Sequence, residues 1–293
     1  MRYYRPATTA EAIAALAAEP RTSRILVGGT DLLVAMRHQK VEPTLLVDIK
    51  SVQDLVEPIT VEDEGITFGP TATMSDLVAH SVVRQWFPSL VEAAALVGSV
   101  AIRNRASLIA NSANGSPAAD TSPPLVALNA SVTISSVNGE RAHSLREFFL
   151  GSRRTLCCGG EMVTSMWVPR PAPRSSSAFE RMTRRRGVDL ATCSVAAVVD
   201  VDSAVTVGLG AVGPTTLLGG PGASFDLSSP EQMERALDAL LAAATPIEDI
   251  RAGKPYRTAM LRLLAKRAIL RAAEQRTDEN LALPDVLGGR SGG

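Results

Sequence analysis

Apolar residues recur along this chain in two alternating rhythms, one helical and one strand-like. Thr8 followed three residues later by Glu11 forms a capping-box pattern, which predicts a helix running to about Ala18. The run Ile25-Leu26-Val27 predicts a short buried strand, and Leu32-Leu33-Val34-Ala35-Met36 a short helix. Thr44 through Asp48 predicts a second buried strand. Beyond Glu57 the pattern shortens to strands at Ile59–Val61 and Gly65–Phe68 around an Asp-Glu-Gly turn. Helices are predicted at Met74–His80 and Leu90–Val97, the latter with Ser89 as its N-cap, and after Pro123-Pro124. Val132–Ile134 and Met162–Val168 predict further strands. The stretch Pro169 to Ser177 is too rich in Pro and Ser to pack and predicts a linker. Two strands (Val195–Val201 and Val205–Gly210) and two helices (Pro230–Ala243 and Tyr256–Glu274) follow it.

This order predicts alternating α/β organisation with a smaller α+β domain at the C-terminal end. The boundaries are expected at 1–57, 58–172 and 173–287, with 288–293 a flexible tail. At 293 residues the chain has length for such a division. Thirty basic residues balance thirty acidic ones, so no long-range field recruits nucleic acid or an anionic membrane. No apolar run reaches the ~20 residues that span a bilayer. The short N-terminal apolar stretch after Glu11 reads as an amphipathic helix rather than a signal peptide. There are three cysteines. Cys157 and Cys158 are adjacent, too strained for an ordinary disulfide, and Cys193 stands alone as a small buried hydrophobe. Three cannot hold a four-cysteine iron–sulfur cluster, and no CxxC pair suggests zinc. Cysteine usage fits a reducing cytoplasm.

Candidate chemistry sits at two turns. Gly28-Gly29 ends the Ile25–Val27 run, and a paired glycine there lets backbone N–H groups approach a diphosphate, with a helix N-terminus behind them. The second turn is Ser107-Leu108-Ile109-Ala110-Asn111, followed by Ser116 to Asp120. Together they could hold one extended phosphate-bearing ligand. A dinucleotide-binding βαβ unit fits poorly, because no G-x-G-x-x-G occurs. Asp48 therefore reads as a strand-end turn residue rather than a ribose ligand. His38, His80 and His143 lack a carboxylate or serine constellation, so no catalytic side chain and no metal site is assigned. The Arg184-Arg185-Arg186 cluster reads by itself as a solvated face.

The residues Tyr4-Arg5-Pro6, Gly28 to Leu32, Leu46-Val47-Asp48-Ile49, Ile102-Arg103-Asn104, Asn111 to Asp120, Arg184-Arg185 with Asp189-Leu190-Ala191, and Tyr256-Arg257 carry a resemblance. In order and spacing the chain resembles the FAD-binding medium subunit of the molybdenum hydroxylases, the xanthine dehydrogenase and carbon monoxide dehydrogenase family. The resemblance covers essentially the whole chain. It implies a two-subdomain FAD-binding region of the molybdenum hydroxylase flavoprotein type, mixed α/β and α+β, followed by a small C-terminal α+β domain.

The resemblance also implies site residues. Gly28, Gly29, Thr30, Asp31 and Leu32 would form the first diphosphate loop, with Leu26 and Val27 leading into it. Ser107, Ala110 and Asn111 would belong to the second loop, with Ala101 in the stretch before it. Asn114 and Asp120 would reach sugar or ribityl hydroxyls, Val163 would give an apolar contact near the flavin ring, and Arg181 would be the cation beside it. One departure matters. The family's second loop usually reads Thr-Ile-Gly-Gly-Asn, and here Ile109 and Ala110 replace both glycines. An isoleucine at positive φ would be an outlier, so this loop is expected to keep ordinary backbone angles or to bind less closely.

The function implied is electron transfer. FAD on this chain would take electrons from two 2Fe–2S clusters of a small partner subunit and pass them to an external acceptor. Hydroxylation would occur at the molybdopterin cofactor of a large partner subunit, in a heterotrimer doubled to a hexamer. Two alternatives stand beside it: a flavin-free scaffold subunit of the same complex, suggested by the replaced glycines, and a stand-alone flavin oxidoreductase.

Overall fold

The computed structural model describes residues 1–185 and 187–277. Arg186 and the expected tail at 288–293 lie outside the described residues. The chain opens with β1 (Arg2–Tyr4), α1 (Thr9–Ala18), β2 (Ser23–Leu26), α2 (Leu32–Arg37) and β3 (Leu45–Asp48). Thr8 caps α1, accepting from Glu11 N–H, as the capping pattern predicts. The three strands form a parallel sheet in the order β1-β3-β2. Asp48 ends β3 and caps a 3-10 turn at Ile49–Ser51, accepting from Lys50 N–H at 3.1 Å. It also accepts from Tyr3 Oη, so its carboxylate is spent locally.

A second body follows. It contains β4 (Ile59–Glu62), β5 (Gly65–Phe68), α3 (Met74–Ala79), α4 (Ser81–Trp86), α5 (Pro88–Ala95), α6 (Val100–Arg103), α7 (Leu108–Ala113) and α8 (Ser122–Ala127). The strands β6 (Ser131–Ser136) and β7 (Gly139–Ser144), the turn α9 (Leu145–Phe148), the hairpin β8 (Phe149–Gly151) and β9 (Arg154–Thr155), and β10 (Met162–Pro169) complete it. An antiparallel sheet in the order β4-β5-β10-β6-β7 packs against the helices, with Phe68, Leu77, Leu90, Leu108, Leu125, Ile134 and Met166 in one apolar core. Ser89 does not cap α5. Pro88 takes the first helical position, where its missing N–H costs nothing, and Ser89 lies one residue inside the helix with Phe87 at the cap.

The expected linker is shorter than its composition suggests. β10 runs through Pro169 and β11 (Ser176–Met182) begins at Ser176, so only residues 170–175 connect them. Ser177 is buried, because β11 pairs along its full length with β12 (Cys193–Val199) and the ladder carries it under α5. The C-terminal sheet, β11-β12-β13-β14, adds β13 (Ala204–Gly210) and β14 (Leu217–Ser224). Its two faces follow the period-2 alternation. Val195, Ala197, Val207 and Leu209 pack under α10 (Pro230–Leu241) and α11 (Lys254–Thr277), while Phe179 and Ala196 face Ala93 of α5 and Ala127 of α8. A Cβ at Gly208 would lie 2.0 Å from Pro123 O, so that strand and α8 meet backbone to backbone. Arg257 is buried within this domain, donating to the carbonyls of Thr192 and Ala211 and to Asp249. Among the described residues no helix is long and apolar enough to cross a membrane.

Candidate functional site

A cleft of about 770 Å³ opens between the parallel sheet and the second body, a size suited to a nucleotide-sized ligand. Two glycines of one turn line it. Gly28 lies so close to the second body that an added Cβ would sit 1.8 Å from Arg105 O, which excludes any other residue without movement. Gly29 takes a φ of +72°, the left-handed region that a side chain disfavours. These two requirements are why the glycine pair stands at the end of β2.

The turn then presents an array of donors. Among the described residues, no acceptor is found for the backbone N–H groups of Gly28, Gly29, Thr30 and Asp31. Four consecutive unpartnered amides lining a cleft form an anion-binding concavity. Helix α2 behind them has six residues, so the local amides rather than a long helix dipole supply the positive potential. Charge around the cleft agrees. Arg24, Lys40 and Arg153 line it against one carboxylate, Asp31, in a chain whose net charge is zero. Apolar Ile25, Val27, Val34, Val41, Ile49, Met162 and Val163 line it as well. The donors, the cations and the apolar lining fit the diphosphate and rings of FAD.

The second loop is built differently. Ser107 caps α7 through its hydroxyl, which accepts from Ala110 N–H at 3.4 Å, and Leu108 N–H donates to Ala72 O at 2.9 Å. Ile109 is buried in the core beside Leu108 and, like Ala110, keeps ordinary helical backbone angles, as the missing glycines require. Asn111 N–H donates to Ser107 O at 3.0 Å, so three of this loop's amides are spent inside the protein. Asn111 accepts from Thr121 Oγ1 at 2.8 Å, and Asn114 is bonded to Asp31 and to Arg153.

Of the expected contact residues, Val27 to Leu32, Ser107, Ala110, Asn111, Asn114 and Val163 line this cleft together. Leu26, Ala101, Asp120 and Arg181 do not. Leu26 packs toward Gly29, and Ala101 lies on an exposed helix between Val100 and Ile102. Asp120 and Arg181 pair with each other at 2.5 Å, and Asp120 Oδ1 is left buried without a partner. Burial pushes the Asp120 carboxyl up to about 6 despite the opposing pull of Arg181. Asp120 does not cap α8. Sequence reasoning missed Arg24, Lys40, Arg153 and Cys157 as lining residues. No local signal marks them, since a cation or a thiol near a turn has no pattern that points at a cleft. The Cys157 thiol is pushed up to about 12 by burial and by Glu161, which keeps it protonated and inert. Among the described residues no group of His, Cys, Asp and Glu could hold a metal ion.

Known proteins with this organisation share it across the chain. Residues 1–171 match the family described as FAD binding domain in molybdopterin dehydrogenase, and residues 177–272 match the CO dehydrogenase flavoprotein C-terminal domain. The carbon monoxide dehydrogenase medium chain of Hydrogenophaga pseudoflava is 31% identical over 91% of this chain and 95% of its own length. The nicotine 6-hydroxylase medium subunit of Paenarthrobacter nicotinovorans is 30% identical over 93% and 97%. Among solved structures, a Cu,Mo-CO dehydrogenase chain superposes with a TM-score of 0.87 at 27% identity, covering 94% of this chain and 98% of that one. Quinoline 2-oxidoreductase from Pseudomonas putida 86 gives 0.85 at 27%, covering 95% and 98%. With both halves of the chain matched and the fold shared end to end, this protein belongs to the FAD-binding medium subunits of the molybdenum hydroxylases, a family of oxidoreductase subunits.

Proposed function

We propose that this chain is the electron outlet of a heterotrimeric molybdenum hydroxylase, doubled to a hexamer. Its partners are a small subunit with two 2Fe–2S clusters and a large molybdopterin-binding subunit. The observation that carries the reading is the run of four unpartnered amides at Gly28–Asp31, opening into a cleft lined by more cations than carboxylates. Bound FAD supplies the one- and two-electron chemistry that no side chain of this protein provides.

The chain's own residues bind and orient. Gly28 to Leu32 receive the diphosphate, and Ile25, Val34, Val41 and Val163 give apolar contact along the cleft. Asn114 acts in this scheme by holding Asp31 and Arg153 rather than by direct contact alone. Asp120 Oδ1, buried and lacking a partner, is the acceptor offered to a ribityl hydroxyl, and Arg181 holds the other oxygen of that carboxylate. Relatives in this family are named medium chains or FAD-binding subunits of larger enzymes, and three cysteines here cannot supply cluster ligation. The same three cysteines are free, which favours a cytoplasmic site of action.

The test is the absorbance of the purified full chain in the flavin band near roughly 450 nm, with the released flavin identified by chromatography. A yellow protein carrying FAD that co-purifies with two further chains is expected. A colourless protein that still assembles would make it a scaffold. Turnover of substrate by this polypeptide alone would make it a stand-alone oxidoreductase.

A further inference from the structure

Three segments meet over the cleft through one carboxamide. Asn114, at the end of α7, donates from Nδ2 to Asp31 Oδ2 at 3.2 Å and accepts at Oδ1 from Arg153 Nη1 at 3.0 Å. Asp31 comes from the glycine turn and Arg153 from the β8–β9 hairpin, and all three residues line the cleft. The backbones reinforce the arrangement. Arg153 N–H donates to Gly115 O at 2.8 Å, and a Cβ at Gly115 would lie 3.1 Å from Arg154 N. Arg153 itself takes a φ of 56°, a conformation that persists in a residue with a side chain only where the surroundings fix it.

We propose that Arg153 is the cation that neutralises the ligand's diphosphate, in place of backbone donors that the second loop cannot give. The inference rests on the reading of the cleft as an FAD site. Its own grounds are three. Leu108 and Ala110 have their amides engaged within the protein, so the second loop offers fewer donors than the glycine turn. Asp31 places a carboxylate in an anion-binding cleft, and Asn114 ties it to the guanidinium that offsets it. Arg153 is exposed, and one of its five N–H donors reaches Asn114, which leaves the rest of the planar fork for phosphate oxygens.

The experiment titrates FAD into the flavin-stripped full chain at low and high salt. The comparison is among wild type, Arg153→Asn, Arg153→Lys and the neighbouring Arg154→Ala. Asparagine tolerates the left-handed backbone, so it removes the charge without adding strain. At low salt Arg153→Asn is expected to weaken FAD binding by about tenfold or more, as loss of a charge-assisted phosphate contact does. The gap should narrow at high salt, where screening already weakens the wild type. Arg153→Lys should fall between, Arg154→Ala should match wild type, and the melting temperature of the stripped protein should not change. Wild-type affinity in Arg153→Asn overturns the inference. So does an equal loss at both salts with a lowered melting temperature, which marks a structural tie. Uptake of FAD by wild type with an unchanged variant sinks this inference alone, whereas a wild type that takes up no FAD sinks the cofactor reading with it.

Discussion

Arg181 on β11 and Asp120 before α8 form an ion pair of 2.5 Å at the junction between the C-terminal sheet and the second body, with side chains 10% and 11% exposed. Burial holds the Asp120 carboxyl up near 6, so the attraction to Arg181 does not recover the full cost of desolvating the carboxylate. The pair is a junction of domains before it is anything else.

Removing the cation should expose that cost. Arg181→Met is expected to destabilise the protein by roughly 3–5 kcal/mol, because it strands a buried carboxylate. The double variant with Asp120→Asn should recover most of the loss. Urea unfolding of the two variants checks this, and equal stability of both would contradict it.

The same carboxyl gives a pH signature. Its folded value of about 6 lies above the ordinary 3.8 of an aspartate carboxyl. The folded state therefore binds the proton more tightly, and the stability this gives is full below the unfolded value and lost as pH rises through about 6. Unfolding free energies of wild type and Asp120→Asn, measured across that window, should diverge in the variant's favour as pH rises.

Glu92 of α5 accepts from Phe179 N–H at 2.7 Å and from Arg271 of α11, while Arg271 also donates to Glu180 at 2.5 Å. This four-residue clamp fastens the C-terminal domain onto the flavin region. Arg271→Ala should cost about 3–5 kcal/mol, since Glu92 stays buried without its counter-charge. Limited proteolysis should then cut the connection at residues 170–175 faster than in wild type. An unchanged cleavage rate would argue that other contacts hold the domains.

The two glycines of the first turn should respond unequally. Gly29→Ala meets side-chain atoms at 3.0 Å and a positive φ, and should cost about 1–2 kcal/mol. Gly28→Ala drives a methyl group into Arg105 O and must move the subdomains apart. Its flavin content, read as the ratio of flavin to protein absorbance, should fall much further than that of Gly29→Ala.

Ile109 separates packing from binding. It stands where the family usually carries a glycine, yet its side chain lies in the core with Leu108 and Phe68. Ile109→Ala should cost about 2–5 kcal/mol, as core truncations do. The stripped and flavin-loaded proteins should lose the same amount, and a loss confined to the loaded form would place this side chain at the ligand instead.

Local sequence determined the pieces whose causes are local. The capping pair Thr8 and Glu11, the paired glycines after a short apolar strand, and the unbroken apolar run Val195 to Val199 each state their own geometry, because cap, turn and strand depend on neighbours a few residues away. Order and spacing of such pieces were enough for the family, and the lost glycines at Ile109 and Ala110 correctly foretold ordinary backbone there. Tertiary structure alone decided which side chains share a site. Asp120 meets Arg181, Arg271 meets Glu92, and Arg153 reaches a cleft whose first wall is built by Gly28. Each is a pairing between distant segments that depends on how three sheets stack, and no periodicity or turn chemistry encodes it. Burial made the difference physical. It joined Asp120 and Arg181 in an ion pair that leaves one carboxylate oxygen without a partner, and it gave an unremarked arginine in a hairpin a place beside the glycine turn.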